Sequence, residues 1–245
     1  MKYPQIKTGF PLGKLTVSTL LFLIISVQTF SQVGINTTEP MATLDVNGDL
    51  RIRQLDEESG SHVLSINSEG KVSKFKAFLL YDADETVATQ SVSEFIVGQN
   101  TVDNLDLGLQ ISVTIPANTE SKVIINYSVP MGTAVGQNPG KTYIGIKFTK
   151  DGTEQPQGSR KFTLIPVEYD STNNISSMGT ITNTYIENFT SHHEDRIIVY
   201  ELKGYIEQHD PGGSDMKLYK FNMWSNGSDN YNWGKGSIAY QTYAK

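Results

Sequence analysis

The chain has 245 residues, a net charge of −6, no cysteine and 10% aromatic residues. The acidic balance argues against a nucleic-acid partner, because phosphate binding needs clustered Lys and Arg. The missing cysteines exclude a disulfide framework and any lipid carried on a thiol.

Lys2, Lys7 and Lys14 precede a mostly apolar run from Leu15 to Val27. That run is shorter than the roughly 20 residues a membrane-crossing helix needs. Thr29 and Ser31 put small residues at the −3 and −1 places of a cleavage site. The pattern predicts a signal peptide over 1–31, with Gln32 first in the mature chain. The product is expected to be exported, secreted or at the cell surface, with no membrane insertion of the mature chain. Losing three lysines and no acid takes the net charge from −6 to −9. Asn-x-Ser/Thr sequons at Asn36, Asn126, Asn174, Asn188 and Asn226 read as an Asn/Ser/Thr-rich surface.

Residues 32–75 read as a β-hairpin stalk. Thr43 to Val46 alternates polar and apolar, Asn47-Gly48 suits a type I′ turn, and Asp49 to Arg53 alternates again. A second hairpin is expected from Val63–Ile66 through Asn67–Gly70 to Lys71–Ser73. A lone two-stranded hairpin is marginal in water, so these need copies of themselves or a host domain. The segment Val33-Gly34-Ile35-x-Thr37-x-x-Pro40, with Leu44-Asp45-Val46-x-Gly48-x-Leu50-x-Ile52 behind it, resembles a module of secreted Gram-negative proteins and phage tail-fibre stalks. The resemblance covers about 40 of the 245 residues. It implies a homotrimer, because such modules intertwine three chains. The self-cleaving chaperone that ends some tail fibres has no counterpart in this sequence. Asp45-Val46-Asn47-Gly48-Asp49 also opens like a calcium loop. Leu50 stands where that loop needs Gly and Arg53 where it needs oxygen, so calcium is not expected there.

From 76 to 245 the pattern is β throughout. Strands are predicted at Gln110–Pro116, Lys122–Pro130, Tyr143–Thr149, Arg160–Leu164, Gly179–Phe189, Arg196–Gln208, Met216–Trp224 and Gly236–Tyr243. A tight turn falls at Lys150–Thr153. Gly, Pro, Asn and Asp clusters separate the strands, and no window holds a helical period. The fold class is therefore all-β, the stalk being followed by a β-sandwich of jelly-roll type.

Candidate sites are few. His192-His193-Glu194-Asp195 is dense in metal-capable groups, yet neighbours on a strand point to opposite faces, and a solvated loop is expected. Asp82, Asp84 and Glu85 form an acidic trio expected just before a strand. No nucleophile-elbow, zinc-protease or phosphate-loop motif occurs. No metal and no cofactor is specified. The aromatic loop Trp224, Asn226, Asp229, Asn230, Tyr231, Asn232 and Trp233 carries both tryptophans among amides. Rings that stack on a pyranose beside amides that meet its hydroxyls make it the candidate ligand-binding site. The opposing reading places these rings in the core or at a subunit interface.

The expected function is an exported structural or adhesive protein, a homotrimer displaying β-sandwich heads toward a glycan or cell surface. The alternative is a secreted polysaccharide-active hydrolase with two carboxylates from distant strands. Nothing in the sequence selects such a pair.

Overall fold

A computed structural model describes residues 32–50, 62–133, 141–164, 167–168, 175–209, 216–224 and 234–245. The predicted signal peptide, Arg51–Arg53 of the first hairpin, and 225–233 of the aromatic loop lie outside them. Two compact units divide between Glu58 and Ser59.

In the first unit, strands β1 (Val33–Ile35) and β2 (Leu44–Val46) pair in parallel. Gly34 is required, because a Cβ there would stand 2.7 Å from the Thr37 carbonyl oxygen. Asn36 and Asn47 exchange amide-to-carbonyl bonds of 2.9 and 3.2 Å. The expected type I′ turn is not present. Gly48 has φ +150 while Asn47 is not at positive φ, and that turn needs positive φ at both. The Asn47 amide holds the 36–47 loop closed instead, and Leu44–Val46 takes β1 as its partner.

The second unit opens with the hairpin β3 (His62–Ile66) and β4 (Val72–Lys76), which pairs as expected. Its turn is held by the Asn67 carboxamide, which accepts from the N–H groups of Glu69 and Lys71, and by Gly70 at φ +79. Leu64, Ile66 and Val72 share one face by register, and Val63 and Phe75 the other. Both faces of this ribbon are therefore partly apolar.

The rest follows in order: β5 (Leu79–Val87), β6 (Val92–Val97), β7 (Asn100–Ile115), β8 (Ser121–Thr133), β9 (Thr142–Lys150), β10 (Thr153–Glu154) and β11 (Arg160–Thr163). Then come β12 (Val167–Glu168), β13 (Ile175–Ser176), β14 (Met178–Phe189), β15 (Arg196–Gln208), β16 (Met216–Phe221) and β17 (Ser237–Ala244). One sheet runs β5-β17-β8-β14 and the other β7-β15-β9-β11, antiparallel at every pair. Consecutive strands mostly change sheet, and the last strand lies between the first and third of its layer. That order is a jelly roll, as the alternation predicts. Strands β6 and β16 pair with each other and extend the β8 layer.

The core lies between the layers. Leu109, Ile111, Val113 and Ile115 of β7, with Ile144, Ile146 and Phe148 of β9, face Val123, Ile125, Val129 and Met131 of β8. Each alternates with an outward residue, as a half-buried strand requires. Phe148 is the hub: its ring centroid lies 4.9 Å from Tyr185, 5.6 Å from Tyr200 and 6.2 Å from Tyr127. Gly158 must be glycine, since a Cβ would stand 2.2 Å from that ring.

Candidate functional site

The predicted aromatic loop is described only at its first residue. Trp224 packs against the core. Lys220 Nζ stands 4.1 Å above its ring and donates to its carbonyl at 2.9 Å. Asn226, Asp229, Asn230, Tyr231, Asn232 and Trp233 lie outside the described residues. The loop's two ends are tied together: Gly236 N–H donates to Asn222 O at 2.8 Å, and Asn222 Nδ2 to Leu107 O at 2.8 Å.

The His192–Asp195 segment is a loop with structural bonds. Asp195 Oδ1 accepts from Ala117 N–H at 2.7 Å, and the His192 ring meets Arg196 Nη1 at 2.6 Å. The acidic trio lies inside strand β5 rather than before it. A bulge opposite Thr242 and Tyr243 lets Asp82 reach the Tyr240 hydroxyl at 2.7 Å. Among the described residues no group of three metal-capable side chains converges.

Glu187, on β14, accepts from Tyr200 OH at 2.8 Å and from Tyr185 OH at 3.3 Å, and pairs with Lys150. Burial, then Glu187, raises the Tyr185 hydroxyl to about 12 and pushes Tyr200 higher still. The cluster bridges β9, β14 and β15. It ties the layers together, with its carboxylate already satisfied on three sides.

The richest exposed chemistry is on the outer face of β7-β15-β9-β11. One register break and one glycine place it. Between Gly204 and Ile206 of β15 the partner strand moves from Leu105 to Val102, so Asp103 and Asn104 stand against the single residue Tyr205. Such a bulge re-aims side chains. Lys147 answers with a 3.0 Å bond to Asn104 Oδ1 and a 3.7 Å pair with Asp103. The other device is Gly145, where a Cβ would meet the Arg160 carbonyl at 2.3 Å. Its absence lets β11 press onto β9 and carries Lys161 toward Tyr205.

Lys161 Nζ lies 4.5 Å from the Tyr205 ring centroid and 5.8 Å from that of Tyr143. It donates to Tyr205 OH at 3.3 Å and stands 3.6 Å from Glu207. Tyr205 OH donates in turn to Glu207 Oε2. That bond, first, holds the Glu207 carboxyl below its ordinary value, and the bond to Tyr205 raises Lys161. Burial, then Glu207, raises Tyr205. The triad parts two clefts. One, of about 330 Å³, includes Lys147, Ser159, Arg160 and Tyr205; the other, of about 420 Å³, includes Lys141, Tyr143, Thr163, Glu207 and His209. No single motif pointed here. The one available signal was Gly145 inside an otherwise regular strand, which marks close backbone approach.

No family model matches this chain, and no curated protein matches it. Among solved structures, it is similar to the VP2 subviral particle of infectious bursal disease virus at 11% identity and TM-score 0.23. That match covers 76% of this chain and 46% of the other. The chain thus spans about half the length of the capsid proteins it matches. The baseplate tripod of bacteriophage Tuc2009 matches at 13% identity and TM-score 0.16, covering 100% of this chain and 99% of the other. At these scores nothing about activity, assembly or ligand passes from those proteins to this chain.

Proposed function

We propose that the protein is an exported structural or adhesive component. It is cut after Ser31, assembles as a homotrimer through β1–β4, and displays its jelly-roll domains for attachment to a glycan or cell surface. One observation carries the reading. Val33, Ile35, Leu44, Leu64, Ile66, Val72 and Phe75 are between 48% and 71% exposed in the single chain. Fully burying such a side chain is worth about 1.5–3 kcal/mol, so seven per chain provide a strong drive to associate. A hairpin apolar on both faces suits intertwining better than docking on one flat neighbour.

Light scattering on the mature protein tests this. The expected mass is three chains at micromolar concentration; a stable monomer overturns it. In the full chain, Leu64→Glu, Ile66→Glu and Val72→Glu together should dissociate the trimer while the jelly roll keeps its melting temperature. N-terminal sequencing of the native product should begin at Gln32. Glycan contact is assigned to the Trp224–Trp233 loop on its ring and amide content. Replacing Trp233 by Ala should weaken glycan binding and spare folding; collapse of folding would place Trp233 in the core.

A further inference from the structure

The outer face of β7-β15-β9-β11 has features that folding alone does not require. Tyr143 is 43% exposed on a strand whose alternate residues are fully buried. Tyr205 is paired with Gly145 and so stands diagonally from Tyr143 by register. The two tyrosine rings thus neighbour each other on the outer face, with Lys161 held against both. The clefts on either side fall within the roughly 300–1,000 Å³ of ligand sites.

Charge identifies the ligand class. Lys161 is matched by Glu207 and Lys147 by Asp103. Arg160 and Lys141, one in each cleft, are exposed and have no carboxylate partner among the described residues. Arg160 Nη1 is tied to the carbonyls of Gln157 and Ser159 at 3.0 and 2.7 Å, which fixes the guanidinium. Its Nε and Nη2 donors remain for a planar anion, and a carboxylate takes that fork well. Glu154 also lines the first cleft, held by the Ser159 hydroxyl, so three cations there, Lys147, Arg160 and Lys161, stand against two carboxylates, Asp103 and Glu154.

We propose that this face is a second binding site, a groove for an acidic polysaccharide. Sugar rings stack on Tyr143 and Tyr205, and the carboxylates of uronate units meet Arg160 and Lys141. The groove is distinct from the Trp224–Trp233 loop and does not depend on assembly, since all its residues belong to one chain.

The test uses the mature full-length protein and a short oligogalacturonide, small enough to engage one groove so that avidity does not enter. Titration calorimetry should show binding, weakened by added salt. A dextran oligomer of equal length should bind at least about tenfold more weakly, lacking the charge. Tyr143→Ala and Arg160→Gln, both at exposed positions, should each weaken the oligogalacturonide about three- to tenfold and leave the melting temperature in place. Trp233→Ala should change nothing. No binding of the oligogalacturonide overturns the proposal, as does equal affinity for dextran or full binding by both variants. Loss of binding on Trp233→Ala instead puts the ligand on the loop. A monomeric protein that still binds would refute the trimer and leave this groove standing.

Discussion

Strands β3 and β8 both carry large apolar residues at alternate positions, yet these end in opposite environments. In β8, Val123, Ile125, Val129 and Met131 are wholly buried beneath the facing sheet. In β3, Leu64 and Ile66 stay exposed. Alternation specifies that a strand has an apolar face; it does not specify what covers that face. In the jelly roll the cover is another part of the same chain. In β1–β4 the described residues leave that face exposed, and it is this face that the trimer proposed above would cover.

The largest test of this contrast replaces a ring in each region. Phe148→Ala opens a cavity at the hub of four aromatic rings and should cost about 3–5 kcal/mol in denaturant unfolding. Phe75→Ala should change monomer stability by less than about 0.5 kcal/mol. Equal losses would mean that β4 is packed on the jelly roll and needs no partner chain. Next in size is Glu187→Ala, which strands Lys150 and the Tyr200 hydroxyl. A loss of about 1–3 kcal/mol is expected, again by denaturant unfolding.

Alkali should act on the jelly roll. Tyr127, Tyr185 and Tyr240 are raised from 10.0 to about 12, chiefly by burial. Their folded-state values exceed the unfolded ones, so the protonated form is favoured in the fold. Stability is therefore complete below pH 10 and lost as pH climbs through 12. Melting temperatures from pH 9 to 12 should fall along that window, and a flat profile would count against the buried hydroxyls. The smallest effect belongs to the outer groove. Glu207 lies below its ordinary 4.5 because Tyr205 donates to it. Its contribution is present above pH 4.5 and fades as pH falls through the lower folded value. Tyr205→Phe should shrink the acid-side drop in melting temperature slightly.

Much of the architecture was legible in the residues. Every predicted strand of the C-terminal region forms; most have one buried face and so an alternation to read, while the exposed β11 is held by its pairing with β9. The turn at Asp151-Gly152 forms with both residues at positive φ, +48 and +77. What could not be read is what alternation does not encode. Strand β5, Leu79–Val87, was missed: it is an edge strand exposed along most of its length, so Asp82, Asp84 and Glu85 masked it. The first half of β7 was missed because its bulges interrupt the period. The turn expected at Asn47-Gly48 took another form because this pair has two uses, a tight turn or an amide bridge to Asn36. The cluster on the outer face was invisible because its residues come from separate strands and one bulge, and only the fold brings Lys161 to Tyr205. The loop from Trp224 to Trp233 was conspicuous in sequence for its composition, which says nothing of whether a ring is packed.

The position of β17 has a consequence for how this protein is made. Strand β5 has β17 as its only described partner, and their pairing joins residues as far apart as Asp82 and Thr242. On the ribosome, β5 therefore waits, an open edge, until β17 has emerged. Strand β8 waits with it for the same partner. The first layer cannot close until the final strand slides between them, so folding is slow to commit and dominated by distant pairings. For a chain threaded through a membrane before it folds, such lateness is useful. Under the export proposed above, β17 would follow β5 and β8 across, and their layer would close only then.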